Sequence, residues 1–399
     1  MDIIKRVGIL CGYRFPEGMA PTSRILAYSK GLVENGVDVD VIIFRPTDRG
    51  ESLGARSGEI NGIKYKYPYN RVWSSSSFGR WFWDRPISYI LTLSAIIKMN
   101  KQKKIDFIFL SFDAIQNLFL FITFLRIIGI KQVFIGDEYP IPIRHFLKDK
   151  IPFYKTILYR FIFKYLTAMV LMTENLGAYF NNIRLKPTHI LSSITDISRF
   201  ENLTLANTSS KKKYLCYMGN MELAKDNIDI IIEAFRQICN KYQDIDLYLY
   251  GTPSQKDFKI LKDLINKYSL NDRIFFKGRI NYNEVPLVLK KAYILVSSQP
   301  DTLRAAGGFP TKLGEYMATG IPILTTDVGE ISNYVSHGKQ LWLAKPNNPN
   351  DFAIKLEFII NNYCLALKVA IAAIHHVESN FSPKYVSSKL KCFLGKNLR

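Results

Sequence analysis

Cysteine and histidine are scarce in this sequence, with five of each among 399 residues. Cys11, Cys216, Cys239, Cys364 and Cys392 are odd in number, scattered, and form no C-x-x-C pair. That excludes a disulfide framework or a cysteine zinc cluster and points to a reducing compartment. The histidines show no ligand spacing; His375 and His376 are adjacent and so cannot share a helix face. No metal is expected. Long apolar runs are missing as well: the greasiest stretch, Ala114 to Leu125, is bounded by Asp113 and Arg126 and falls short of the ~20 residues that span a bilayer. The first apolar run, Val7 to Cys11, is too short for a signal peptide, so a cytoplasmic chain is expected. Gly12 and Gly18 lie too far apart for a G-x-G-x-x-G dinucleotide fingerprint. No zinc-finger or RNP-type motif is present, and no nucleic-acid partner is expected.

Acid is the minority charge: 54 Lys and Arg against 34 Asp and Glu give a net charge of +20. Such a surface suits phosphorylated ligands or anionic lipid. The length and the 48% hydrophobic content suit two domains of ordinary size, each with its own core.

The chain reads as alternating strands and helices. Val7–Cys11, a loop with Gly12, a helix from Thr22 to Gly36 and the strand Val37–Phe44 form a βαβ unit. Arg24 lies just inside that helix, either as a ligand contact or as a solvated arginine. Lys131–Ile135 is a further strand with Asp137 and Glu138 at its carboxyl end, the edge that carries sites in open parallel sheets. Trp73, Trp81 and Trp83 with Arg80 and Arg85 stand in a loop-like stretch before a helix from Pro86; indole and guanidinium groups favour an anionic lipid interface, and the same cluster also fits tryptophans packing under their own loop. Ile143 to Ala168 interleaves apolar residues with Arg144, Lys148, Lys150, Lys155, Arg160 and Lys164. It reads as a basic amphipathic helix broken near Pro152, suited to a membrane surface or to covering a sheet. The polar stretch 202–213 is a linker. Tyr214–Asn220 then runs as a strand into a turn at Gly219, with Lys225 ahead of a helix from about Asn227, and the strand Arg273–Ile280 carries Gly278 and Arg279.

The most informative stretch is Gly307 to Ile331. Thr311 is positioned to cap a helix through Lys312, Glu315 and Met317, which Gly320 ends before a strand from Ile321. Free N–H groups, the helix dipole and the Lys312 ammonium would together seat a diphosphate. Glu315, one turn on, can accept sugar hydroxyls. The spacing alone also fits an ordinary αβ unit.

Pro310-Thr311-Lys312-Leu313-Gly314-Glu315-Tyr316-Met317-Ala318-Thr319-Gly320-Ile321-Pro322, followed by Thr326-Asp327-Val328-Gly329-Glu330-Ile331, resembles the donor-site signature of the family 4 glycosyltransferases. The resemblance implies a retaining enzyme of α/β class with the GT-B fold, two facing Rossmann-like domains and a C-terminal helix crossing back to the first. The expected boundaries are 1–201 on the acceptor side, 202–213 as linker, 214–378 for the nucleotide sugar and 379–399 as the crossing helix. By the same resemblance Lys225, Lys312 and Glu315 carry the chemistry, with Gly219, Asn220, Gly278, Arg279 and Thr311 around the donor nucleotide. Gly12, Arg24, Asp137 and Glu138 become acceptor or sugar candidates. Two positions depart from the family pattern: Asn220 stands where arginine is usual, and Gly307 replaces the first glutamate of the Glu-x7-Glu pair. The implied partners are a nucleotide-diphosphate sugar, a lipid-linked or glycan acceptor of bacterial surface polysaccharide or lipopolysaccharide, and an anionic membrane at the inner face of the cytoplasmic membrane. Two alternatives stay open: a GT-B nucleotide-sugar 2-epimerase, and a catalytically weak membrane-bound partner subunit of another transferase.

Overall fold

The computed structural model of the chain describes residues 4–18, 20–45, 56–69, 78–146, 150–201, 203 and 212–397. It divides into two compact units, Met1–Ile194 with Ser382–Arg399, and Thr195–Phe381. The expected linker at 202–213, the residues Trp73 to Ser77 and Lys148 fall largely or wholly outside the described residues.

The first unit is built on an eight-stranded sheet: β1 (Arg6–Cys11), β2 (Asp38–Ile43), β3 (Ser57–Ile60), β4 (Ile63–Lys66), β5 (Phe107–Ser111), β6 (Lys131–Gly136), β7 (Ala168–Leu171) and β8 (Thr188–Ile190), in the order β3-β4-β2-β1-β5-β6-β7-β8. All neighbours are parallel except β3 and β4. The central strands are continuous apolar runs, buried end to end in β1, β5 and β7, because helices cover both faces of a parallel sheet. The β3–β4 hairpin was not anticipated; it turns on Asn61 and Gly62, at φ +50° and +77°, the two left-handed residues that a tight hairpin requires.

The second unit carries six parallel strands, β9 (Lys213–Met218), β10 (Ile245–Tyr250), β11 (Ile274–Gly278), β12 (Ile294–Val296), β13 (Ile323–Thr326) and β14 (Trp342–Ala344), in the order β11-β10-β9-β12-β13-β14. Ile228–Ile238 and Gln255–Lys267 show the spacing of helices with one buried stripe: Ile228, Ile231, Ile232 and Phe235 of the first, and Leu261 and Ile265 of the second, enter the core. Both domains of the expected α/β fold are therefore present.

Two local readings change. The helix expected from Pro86 runs from Phe78 to Gln102 and includes Pro86 in its interior; a proline forfeits one backbone hydrogen bond there, so the composition reads as a break where the chain makes none. Trp81 and Trp83 thus lie in helix rather than loop. Two aspartates on strands serve the fold: Asp40 pairs with Arg6 at 2.7 Å, and Asp246 with Arg273 at 3.0 Å. Among the described residues no single helix is long and apolar enough to cross a membrane.

The last helix, Pro383–Lys396, belongs to the first unit and packs on the helix Ala20–Glu34. Gly31 permits this approach, since a Cβ there would stand 2.1 Å from the Pro383 carbonyl oxygen and 2.4 Å from Ser387 Oγ. Gly31→Ala is expected to destabilise the first unit by about 1–3 kcal/mol through overpacking. Urea denaturation checks this, with Gly36→Ala not a fair control because of its φ of +74°, and the exposed-helix substitution Glu34→Ala serving instead.

Candidate active site

The carboxyl ends of β9, β10 and β11 meet at three glycines. Gly219 N donates to the Tyr250 carbonyl at 3.0 Å, and Gly251 N donates to that of Gly278 at 2.8 Å. Gly251 holds φ +127°, and a Cβ on it would lie 1.8 Å from the Gly219 carbonyl oxygen. Only glycine fits that position. Beside it opens a cavity of about 300 Å³ lined by Gly251, Thr252, Pro253, Phe258, Phe276 and Gly278 among others. Arg279 is exposed next to it.

The loop after β9 leaves from the same strand ends. It carries Gly219, the exposed Asn220, and one short helical turn, Leu223–Asp226, which ends at Asn227 with φ +38°. This loop is tied at two points to the region after β12. Arg304 Nη1 donates to Glu222 Oε1 at 2.7 Å, and Lys312 Nζ donates to Asp226 Oδ1 at 2.7 Å. Lys312 Nζ also donates to the Tyr217 hydroxyl at 2.9 Å and sits 4.3 Å from the centre of that ring. A Cβ on Gly219 would come within 2.7 Å of the same ammonium. The glycine therefore leaves a backbone path to a buried cation.

Burial alone would raise the Asp226 carboxyl, yet the Lys312 ammonium, with Lys225 and the Tyr217 hydroxyl, holds it below its ordinary value of 3.8. Burial lowers the Lys312 ammonium, against the pull of Asp226. Tyr217 is pushed well above the usual phenol range, first by burial and then by the Asp226 charge.

The helix that carries Lys312 runs Thr311–Met317. Pro310, not Thr311, is its N-cap, and no side chain caps it; the proline fixes the entry, so Thr311 becomes the first helical residue and its exposed hydroxyl faces away from a capping role. Glu315 lies one turn on and accepts from Arg199 Nη1 at 2.5 Å. Gly307, at the departure from the family pattern, closes the short helix Leu303–Ala306.

In the first unit, Arg24 is 5% exposed and is not a solvated arginine. Its guanidinium donates to Asp137 Oδ1 at 3.0 Å and to the carbonyls of Ser192 and Leu191 at 3.2 and 2.6 Å. Burial would lower its proton affinity, but Asp137 and Tyr28 hold it raised. Glu138 pairs with Arg144, which also holds Asp113, at 3.1 and 2.9 Å. Gly12 is buried in the loop after β1, where a Cβ would meet the Arg45 carbonyl at 3.2 Å. Asp137 and Glu138 are thus brought together with Asp113 and Arg144 beyond β5 and β6.

Sequence reasoning missed Asp226, Arg304, Arg199, Asp113 and Arg144. Only Asp226, adjacent to Lys225, carried a local clue; the others depend on pairing across the fold.

Structural comparison then decides the architecture. The chain is similar to sucrose-phosphate synthase from Thermosynechococcus elongatus, with a TM-score of 0.75 at 14% identity over 98% of each chain. It is also similar to HepE of Anabaena, solved with UDP and glucose, with a TM-score of 0.71 at 14% identity over 98% of this chain and 100% of the other. The fold is GT-B. Residues 201–376, nearly all of the second unit, match the family model of the group 1 glycosyl transferases. In sequence the chain is 28% identical over 172 residues to a putative colanic acid biosynthesis glycosyltransferase of Salmonella typhimurium, which is 43% of this chain and 42% of that protein. The curated relatives are matched over 31% to 42% of their own lengths. The GT-B glycine ends, the two lysines and Glu315 all fall inside the matched region.

Asp226→Asn leaves the Lys312 ammonium buried without a counter-charge and is expected to cost about 3 kcal/mol of stability, part of which Asp226→Asn/Lys312→Met recovers. The sign with pH follows from the lowered carboxyl: the stabilisation is complete above 3.8 and is lost as the pH falls through the lower folded value. Urea titrations of the three proteins at neutral and acid pH check both statements.

Proposed function

We propose that this chain is a retaining glycosyltransferase that moves a sugar from a nucleotide-diphosphate donor to a membrane-associated glycan or lipid-linked acceptor in cell-surface polysaccharide synthesis. The observation that carries the reading is the Lys312 ammonium held against Gly219 and Asp226 at the glycine-lined strand ends, within the region matched to the group 1 glycosyl transferases. The donor diphosphate lies along Gly219, Lys225 and Lys312, the base enters the cavity beside Gly251 and Gly278, and Glu315 accepts the ribose hydroxyls. As the bond from the anomeric carbon to the diphosphate breaks, negative charge grows on the leaving oxygens and the two lysines stabilise it. The acceptor oxygen forms the new bond to the same carbon, and its proton leaves with the diphosphate. No metal is assigned to this step. UDP in the similar HepE structure and the colanic acid role printed for the Salmonella relative support the donor class and the pathway class. No observation favours the 2-epimerase or the partner-subunit alternative.

The membrane part rests on the helix Phe153–Phe163, which begins after Pro152. Phe153, Tyr154, Ile157, Leu158 and Phe161 are exposed, at 79%, 60%, 51%, 38% and 52%, while Tyr159, Ile162 and Phe163 hold the helix to the core. Lys155 stands within this stretch and Lys164 just after it. Large apolar groups edged by cations fit the interface of an anionic bilayer.

Lys225→Ala and Glu315→Ala are each expected to lower transfer at least a hundredfold, with EDTA present and the melting temperature kept within a few degrees. Nucleotide release in the presence of a crude membrane acceptor reads this, and wild-type turnover by both variants would overturn the assignment. Separately, the protein is expected to sediment with phosphatidylglycerol vesicles and much less with phosphatidylcholine; Phe153→Ala/Phe161→Ala should reduce the bound fraction several-fold. Equal sedimentation of wild type and variant would remove this helix from the membrane surface.

A further inference from the structure

Glu315, the carboxylate assigned to the ribose, is held by a residue that no motif marks. Arg199 comes from the 3-10 turn Ile197–Phe200, just after the start of the second unit at Thr195, 116 positions away from Glu315 in sequence. Its guanidinium is fixed on three sides. Nη1 donates to Glu315 Oε1 at 2.5 Å, Nη2 donates to the Tyr282 carbonyl at 2.8 Å, and the plane lies 3.6 Å from the centre of the Tyr282 ring. The Arg199 and Glu315 side chains are 14% and 28% exposed. The pair is partly buried, and beyond what it adds to folding its consequence is geometric. The planar fork sets the direction of one carboxylate oxygen, and among the described residues no hydrogen bond to Oε2 is seen. That second oxygen is then presented in a fixed direction.

We propose that Arg199 is a positioning residue of the donor site, aiming the free oxygen of Glu315 at the ribose hydroxyls of a nucleoside diphosphate. This rests on the proposed donor-binding role of Glu315. It assigns specificity for ribose, and not affinity in general, to Arg199. The ring of Tyr282 and its carbonyl hold the guanidinium in place whether or not a ligand is present. Arginine is needed because lysine, with a single ammonium, cannot bond the carboxylate and the carbonyl in one plane.

The test is calorimetric titration of the full chain with UDP, GDP and ADP and with the 2′,3′-dideoxy form of each. For the base that binds, wild type is expected to prefer the ribose form roughly tenfold, as hydrogen bonds to a charged group require. Arg199→Gln should bring that preference to within about twofold while melting close to wild type. Arg199→Lys keeps the charge without the fork and should lose most of the preference too, which serves if the glutamine variant does not fold. If both variants weaken the two nucleotides equally and the preference survives, Arg199 is only structural and the inference falls while the donor site stands. If wild type binds none of the diphosphates, or shows no preference for the ribose form, the role of Glu315 falls first and this inference falls with it.

Discussion

A lysine ammonium buried against an aspartate is the constraint on which the second unit's site depends. Lys312 and Asp226 come from opposite walls, the loop after β9 and the helix after β12, and their bond closes those walls on Gly219. Taking both charges out of water is unfavourable, so the pair persists only because each charge has the other and the Tyr217 hydroxyl in place of solvent. The second tie, Glu222 to Arg304, holds the same two walls a few residues away. The site is therefore assembled from elements already bound to one another.

The glycines act on the other side of the same problem. A Cβ at position 219 would stand 2.7 Å from Nζ of Lys312, so the glycine leaves room for that ammonium, and Gly251 lets two strand ends touch. The parallel sheet supplies the direction: each of these residues lies where a strand ends and the chain turns, the edge at which open α/β sheets hold ligands. Charge, access and direction thus converge on one edge of one unit. The polar cluster of Arg24, Asp137, Glu138, Arg144 and Asp113 repeats the placement in the first unit, at the ends of β5 and β6 and the start of the helix after β1.

The alternating α/β order was legible because buried parallel strands are unbroken apolar runs and their helices carry one apolar stripe. Lys312 and Glu315 were singled out because they stand in one long local motif, and Lys225 because it follows a strand that runs into a glycine turn. The partners of those residues were not: Asp226 with Lys312, Arg304 with Glu222 and Arg199 with Glu315 are separated by 86, 82 and 116 positions, and no periodicity spans such gaps. Thr311 was read as a cap by its residue type, but the fixed φ of Pro310 starts the helix one residue earlier. Arg24 could be read from its helix position as exposed; only the return of the chain at Leu191 and Ser192 buries it. Pro86 misled in the same way, since the tertiary setting of the helix from Phe78 overrides a local breaker.

The central claim is that a donor diphosphate is held between the loop after β9 and the helix carrying Lys312. Amide hydrogen exchange on the full chain, with and without saturating UDP, GDP or ADP, tests it most directly, because bound phosphate protects the amides it touches. One of the three nucleotides is expected to slow exchange in both 217–226 and 307–315. Protection by none of them, or protection confined to other segments, would contradict the account.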